Sequence, residues 1–130
     1  MPENTVTNMS SILLSIKQML GMEPEYTPFD MDIVIHINTS LAKLTQVGAG
    51  PKEGYQLDVA DPAASTWADF IQSDKPILNM IKTYVYLNVR TLFDPPQNSF
   101  VLDSFKQEAE ELLWRINVEV DKWERNHEEE

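Results

Sequence analysis

Apolar residues are densest between Asp74 and Trp123. Lys75–Phe93 carries Ile77, Leu78, Met80, Ile81, Tyr84, Val85, Tyr86, Leu87, Val89, Leu92 and Phe93, so a helix here is oily on nearly every side. A helix without a polar face is a buried one. Asp94-Pro95-Pro96 stops it, and a second helix is expected from about Ser99 to Arg125. Leu102, Phe105, Ala109, Leu112, Ile116, Val120 and Trp123 fall at gaps of 3, 4, 3, 4, 4 and 3, a near-heptad seam. Its other faces carry Lys106, Glu108, Glu110, Glu111, Arg115, Glu119, Asp121 and Lys122. Such a helix is roughly 40 Å long, so its end, Val118 to Arg125, is expected to overhang the body or reach a partner. The pair forms a helical hairpin whose first arm needs covering. In a chain this small, part of that cover is expected to come from other subunits.

Before the hairpin the periods are shorter. Ile12, Leu13, Ile16, Met19 and Leu20 predict a helix over 12–20, capped by Ser10 or Ser11 and ended by Gly21. Pro24 and Pro28 keep 22–29 extended. Asp30 can cap a second helix running to about Val47, with Ile33, Ile37, Leu41 and Leu44 in one stripe. The β-branched run Ile33-Val34-Ile35 favours a strand, but the later spacing decides for helix. Residues 48–66 hold three of the four glycines and form a long loop. Within it Tyr55-Gln56-Leu57-Asp58-Val59 alternates, as a short strand or hairpin would, and a lone strand must pair within the loop or with a neighbouring subunit. A plain surface excursion fits equally. Ser65 or Thr66 caps a short helix, Trp67–Gln72, and Ser73 or Asp74 the hairpin's first arm. The fold class is therefore mainly α: four to five helices with a long C-terminal one. One domain over 9–125 is expected between a flexible 1–8 and an acidic tail, 126–130.

Charge narrows the partners. The 130 residues carry 21 acids against 10 bases, a net −11. That opposes both phosphate neutralisation on nucleic acid and an anionic membrane surface. No cysteine is present, so disulfides and thiol chemistry are excluded. No signal-like or membrane-spanning run is seen, and a cytoplasmic site of synthesis and residence is expected. The search for chemistry finds no site. His36 has Asp32 four residues before it but no further ligands for a metal. Glu108, Glu110 and Glu111 read as a solvated helix face rather than paired catalytic acids. Gly48-Ala49-Gly50 lacks the strand and the Lys-Ser/Thr of a phosphate loop. No enzyme, metal or cofactor is expected. Lys82 and Arg90 share a face of the apolar helix; they either snorkel from its edge or mark a contact with an acidic partner or another copy.

Tyr26-Thr27-Pro28-Phe29-Asp30, His36-Ile37-Asn38, Leu44-Thr45-Gln46-Val47-Gly48-Ala49-Gly50-Pro51 and Trp67-Ala68-Asp69-Phe70-Ile71 occur in that order. Ile81 to Arg90, Leu92-Phe93-Asp94-Pro95-Pro96 and Glu111 to Asn117 follow. Over roughly 9–123 the chain resembles phage head–tail connector proteins. The resemblance implies a small helical adaptor of a long-tailed phage, many copies of which form a ring beneath the portal. Such a ring joins the capsid to a tail-completion or stopper protein and lines part of a channel through which DNA passes without sequence-specific binding. It implies a virion protein, made in the host cytoplasm. Subunit or partner contacts are then expected at Tyr55, Leu57, Val59, Lys82, Arg90, Trp114, Val120 and Trp123. Leu57→Asp should spare the fold and harm assembly, whereas Tyr84→Asp or Leu112→Asp should unfold the domain. The alternative is an acidic helical binding module or inhibitor with no place in a virion.

Overall fold

The computed structural model describes residues 10–72 and 75–128, with side chains described up to Lys122 apart from that of Lys75. Five helices follow one another: α1 (Ile12–Met19), α2 (Asp30–Gln46), α3 (Trp67–Phe70), α4 (Lys75–Phe93) and α5 (Ser99–Glu128). A single 3-10 turn, Pro62–Ala64, precedes α3, and no strand occurs among the described residues. The expected flexible N-terminus, 1–8, lies outside the described residues; of the expected tail, 126–128 continue the backbone of α5 and 129–130 lie outside.

α4 sits in the middle. It packs along α5 on one flank, along α2 on the other, and touches α1. Ile81, Tyr84, Val85, Leu87 and Val89 are all buried by these neighbours. The chain thus covers part of the oily helix by itself, while Ile77, Leu78, Met80, Tyr86 and Phe93 stay half-buried. Leu92, at the helix's C-terminal end, is its one exposed large apolar residue. Of the seam of α5, Ala109, Leu112, Ile116 and Val120 are in the core, and Leu102 and Phe105 are half-buried.

α2 and α5 meet at one place. Asn117 Nδ2 donates to the Val47 carbonyl at 3.0 Å, and Val120 lies beside Gly48. Beyond Val120, Asp121 and Lys122 are exposed and the helix continues to Glu128. Those eight residues add about 12 Å of helix.

α1 is too short to stand alone, since an isolated helix under a dozen residues is marginal in water. It is tied to the start of α3 instead. The Ile12 N–H donates to the Ser65 carbonyl at 3.0 Å and the Trp67 N–H to that of Ser10 at 3.0 Å. The Trp67 indole N–H donates to Ser15 Oγ at 2.9 Å. Ser11 caps α1 and Thr66 caps α3 in a reciprocal capping box with Asp69. Gly21, at φ +82°, closes α1 where an L side chain would be strained.

Asp30 does not cap α2. It is the first helical residue, and Phe29 stands at the cap with no side-chain hydrogen bond. The Asp30 carboxylate faces Lys17 Nζ at 2.8 Å instead. Lys17, 0% exposed, also donates to the carbonyls of Pro24 (2.9 Å) and Tyr26 (2.7 Å). Two of its ammonium protons are thus donated to carbonyls and its charge is paired with Asp30, which holds the 22–29 segment against α1.

The 48–66 segment is neither a strand nor a loose excursion. Leu57 is 2% exposed and its N–H donates to Asn38 Oδ1 of α2 at 2.9 Å. The Asp58 N–H donates to Ser65 Oγ at 3.2 Å. Side chains answer the backbone here, so no paired strand is needed. Gly50 lets the chain pass close to Phe70: a Cβ there would lie 2.5 Å from the ring.

Tyr84 is buried on α4, and that burial pushes its phenol above the ordinary tyrosine range, against a smaller opposing pull from its hydrogen bond with Asn88. A folded-state pKa above the unfolded one contributes stability below about pH 10 that is lost as pH rises through the folded value. Urea midpoints should therefore fall between pH 9 and 11 more steeply in the native protein than in Tyr84→Phe. Parallel slopes would show that Tyr84 has no part in the alkaline loss.

Candidate interaction surfaces

The residues expected at interfaces divide into three groups. Leu57 and Val120 belong to the chain's own core and present no side chain to a partner. This is a correction for both: the alternation around Leu57 and the seam that carries Val120 serve internal packing. Tyr55 is half-buried, its ring edge-on to Phe70 at 6.1 Å. Lys82 and Arg90 are engaged internally as well. Lys82 Nζ lies 5.8 Å from the centre of the Trp67 ring. Arg90 donates to the Tyr86 hydroxyl at 3.2 Å, stands 5.9 Å over Phe105 and bonds the Asp94 carbonyl. These are the contacts of snorkelling cations, with apolar stems held against the protein. The Trp123 side chain lies outside the described residues.

Val59 and Trp114 remain, 77% and 64% exposed. They lie on different flanks. Val59 follows Leu57, which is bonded to α2, while Trp114 is on the outer side of α5. Phe100, Gln107 and Trp114 are seven apart, so they run along one line of that helix, with half-buried Val118 continuing it. This line is opposite the buried seam and carries no charge as far as Trp114, after which the same spacing reaches exposed Asp121. Acids border it at Asp103, Glu110 and Glu111, the last paired with Arg115 at 2.8 Å. Glu108, Glu110 and Glu111 all stand in solvent. Among the described residues no cluster of three potential metal ligands occurs, and no helix is long and apolar enough to cross a membrane.

A model of the phage connector protein family matches residues 12–123, most of the chain and every helix in it. The chain belongs to that family. It is a phage structural protein of the head–tail connector kind, and it is all-α, as the order of motifs from Tyr26 to Asn117 implies. No curated protein and no solved structure matches it. The family is a structural one, so the connector's surfaces, rather than a pocket, are where its work is to be sought.

Sequence reasoning missed one surface on this connector. Tyr26, Phe29 and Met31 are exposed, as are Leu92, Phe100 and Val101 on either side of the turn from α4 into α5. The rings of Tyr26 and Phe29 are 5.9 Å apart, and Phe29 meets Phe93 edge-on at 5.4 Å. The available signal was the run of large apolar residues at element ends, where helical periodicity has nothing to say about burial.

Proposed function

We propose that this connector assembles side by side into a ring beneath the portal, where it links the capsid to the tail-completion protein. The family membership carries the reading. Two exposed apolar residues on different parts of the chain, Val59 and Trp114, support it, because a closed ring needs two different, complementary surfaces on each subunit. Val59 marks one flank and Trp114 the other. The acidic balance suits a channel wall to which DNA does not adhere.

A heterologous contact has a distinctive signature in mixed variants. In the presence of purified portal protein, Trp114→Asp and Val59→Asp should each fail to form the ring. Mixed together they retain one good surface apiece and should yield a heterodimer by light scattering. If both variants still form closed rings with native copy number, neither flank is the subunit contact.

A further inference from the structure

α2 carries two seams of the same rhythm. Ile33, Ile37, Leu41 and Leu44 fall at gaps of 4, 4 and 3 and are buried. Met31, Ile35, Thr39 and Ala42 repeat those gaps two residues earlier, which turns them by about 200° onto the opposite face. All four are exposed, Met31 by 63% and Ile35 by 53%. Residues three and four apart on a helix are neighbours, so this second seam is continuous along the helix. Thr39 Oγ1 donates to the Ile35 carbonyl at 3.0 Å, so its hydroxyl is occupied within the helix. Exposed Gln46 extends the seam, and no charge interrupts it.

The charges beside it stand along one edge. Asp32 and Lys43 lie within about 20° of each other around the helix and about 16 Å apart along it. Both are exposed, and neither takes part in an ion pair among the described residues. Half-buried His36 lies between them, and the other edge carries Asn38 and Thr45 and no charge. An uncharged seam with an acid near one end and a base near the other is its own complement when reversed. In an antiparallel pair related by a two-fold axis at the level of Ile37, like edges meet. Asp32 of each copy then faces the partner's Lys43, and opposite charges across an interface fix its register. Ile35 faces the partner's Thr39 and Met31 the partner's Ala42, so a large side chain meets a small one at each step, as packed helices require.

We propose that two copies of this chain pair antiparallel through the outer seams of α2, with two Asp32–Lys43 ion pairs at the rim. The two surfaces are the same, so the contact closes at two copies and differs in kind from the head-to-tail contact of a ring. It uses neither Val59 nor Trp114. A single pair of helices is a small interface, and the dimer is therefore a reversible one.

Sedimentation of the purified full chain over a concentration series tests this, with circular dichroism to confirm helix content. Wild type should show a monomer–dimer equilibrium without portal protein. Ile35→Glu sets two carboxylates in the middle of the seam and should leave monomer alone. Asp32→Lys and Lys43→Asp should each weaken the dimer by about tenfold, since two attractive pairs become repulsive. Asp32→Lys also makes the net charge less negative, so general repulsion between copies predicts the opposite change. The double exchange Asp32→Lys/Lys43→Asp keeps the net −11 and should restore wild-type affinity. Val59→Asp and Trp114→Asp should dimerise as wild type does. A wild-type chain that stays monomeric overturns the assignment. So does a double exchange no better than the single ones, a dimer that survives Ile35→Glu, or one lost with Trp114→Asp.

Discussion

Leu57→Asp should unfold the protein. The side chain is enclosed between α2 and the rest of the core, and the backbone beside it is fixed by Asn38. A carboxylate there loses its water and finds no cation. Burial of an unpaired charge is among the most damaging single changes, typically beyond about 4 kcal/mol, against a total stability of about 5–15 kcal/mol for a domain. Circular dichroism should show the same loss of helix as Tyr84→Asp. A folded Leu57→Asp with impaired assembly would instead return residues 55–59 to the surface, where their alternation alone would put them.

The second large effect is expected at Lys17. Lys17→Met keeps the apolar stem but leaves the Asp30 carboxylate without its cation and the carbonyls of Pro24 and Tyr26 without donors. Removing one partner of a buried pair costs about 3–5 kcal/mol. Asp30 retains partial solvent contact, so about 2–4 kcal/mol is the expected loss. The urea midpoint reports it. The 22–29 segment should also become readily cleaved by protease, because Lys17 is what draws its carbonyls onto α1. A Lys17→Met protein with native midpoint and native protease resistance would show that Phe29 packing on Phe93 holds the segment unaided.

These two sites also show where the sequence is readable and where it is not. The five helices follow from period and punctuation: the Ser11 and Thr66 caps, the Gly21 stop and the Asp94-Pro95-Pro96 break all act as their chemistry requires. The seam of α5 is equally plain, since a 3-4 repeat has one buried side. The all-round greasiness of α4 correctly signals burial but not by what. Only the folded chain shows α2 and α5 packing on it and burying Ile81, Tyr84, Val85, Leu87 and Val89. Lys17 is opaque because its partners are backbone carbonyls in a loop, which leave no mark in side-chain patterning. Leu57 is misleading for a related reason: a side chain, Asn38, takes the place of a pairing strand. Of the expected contact residues, Val59 and Trp114 stand in solvent. The contact of Tyr26 and Phe29 with the end of α4 at Phe93 went unread because both lie in a loop, where no period applies.

The central claim is that this chain works as one of many identical copies at a single place in the particle. Quantitative mass spectrometry of purified virions measures that directly, with the portal protein as internal standard. The account predicts several copies per particle, in a fixed ratio to the portal and unchanged by high-salt washing. Its absence from mature particles, or a variable trace that washes away, would contradict it.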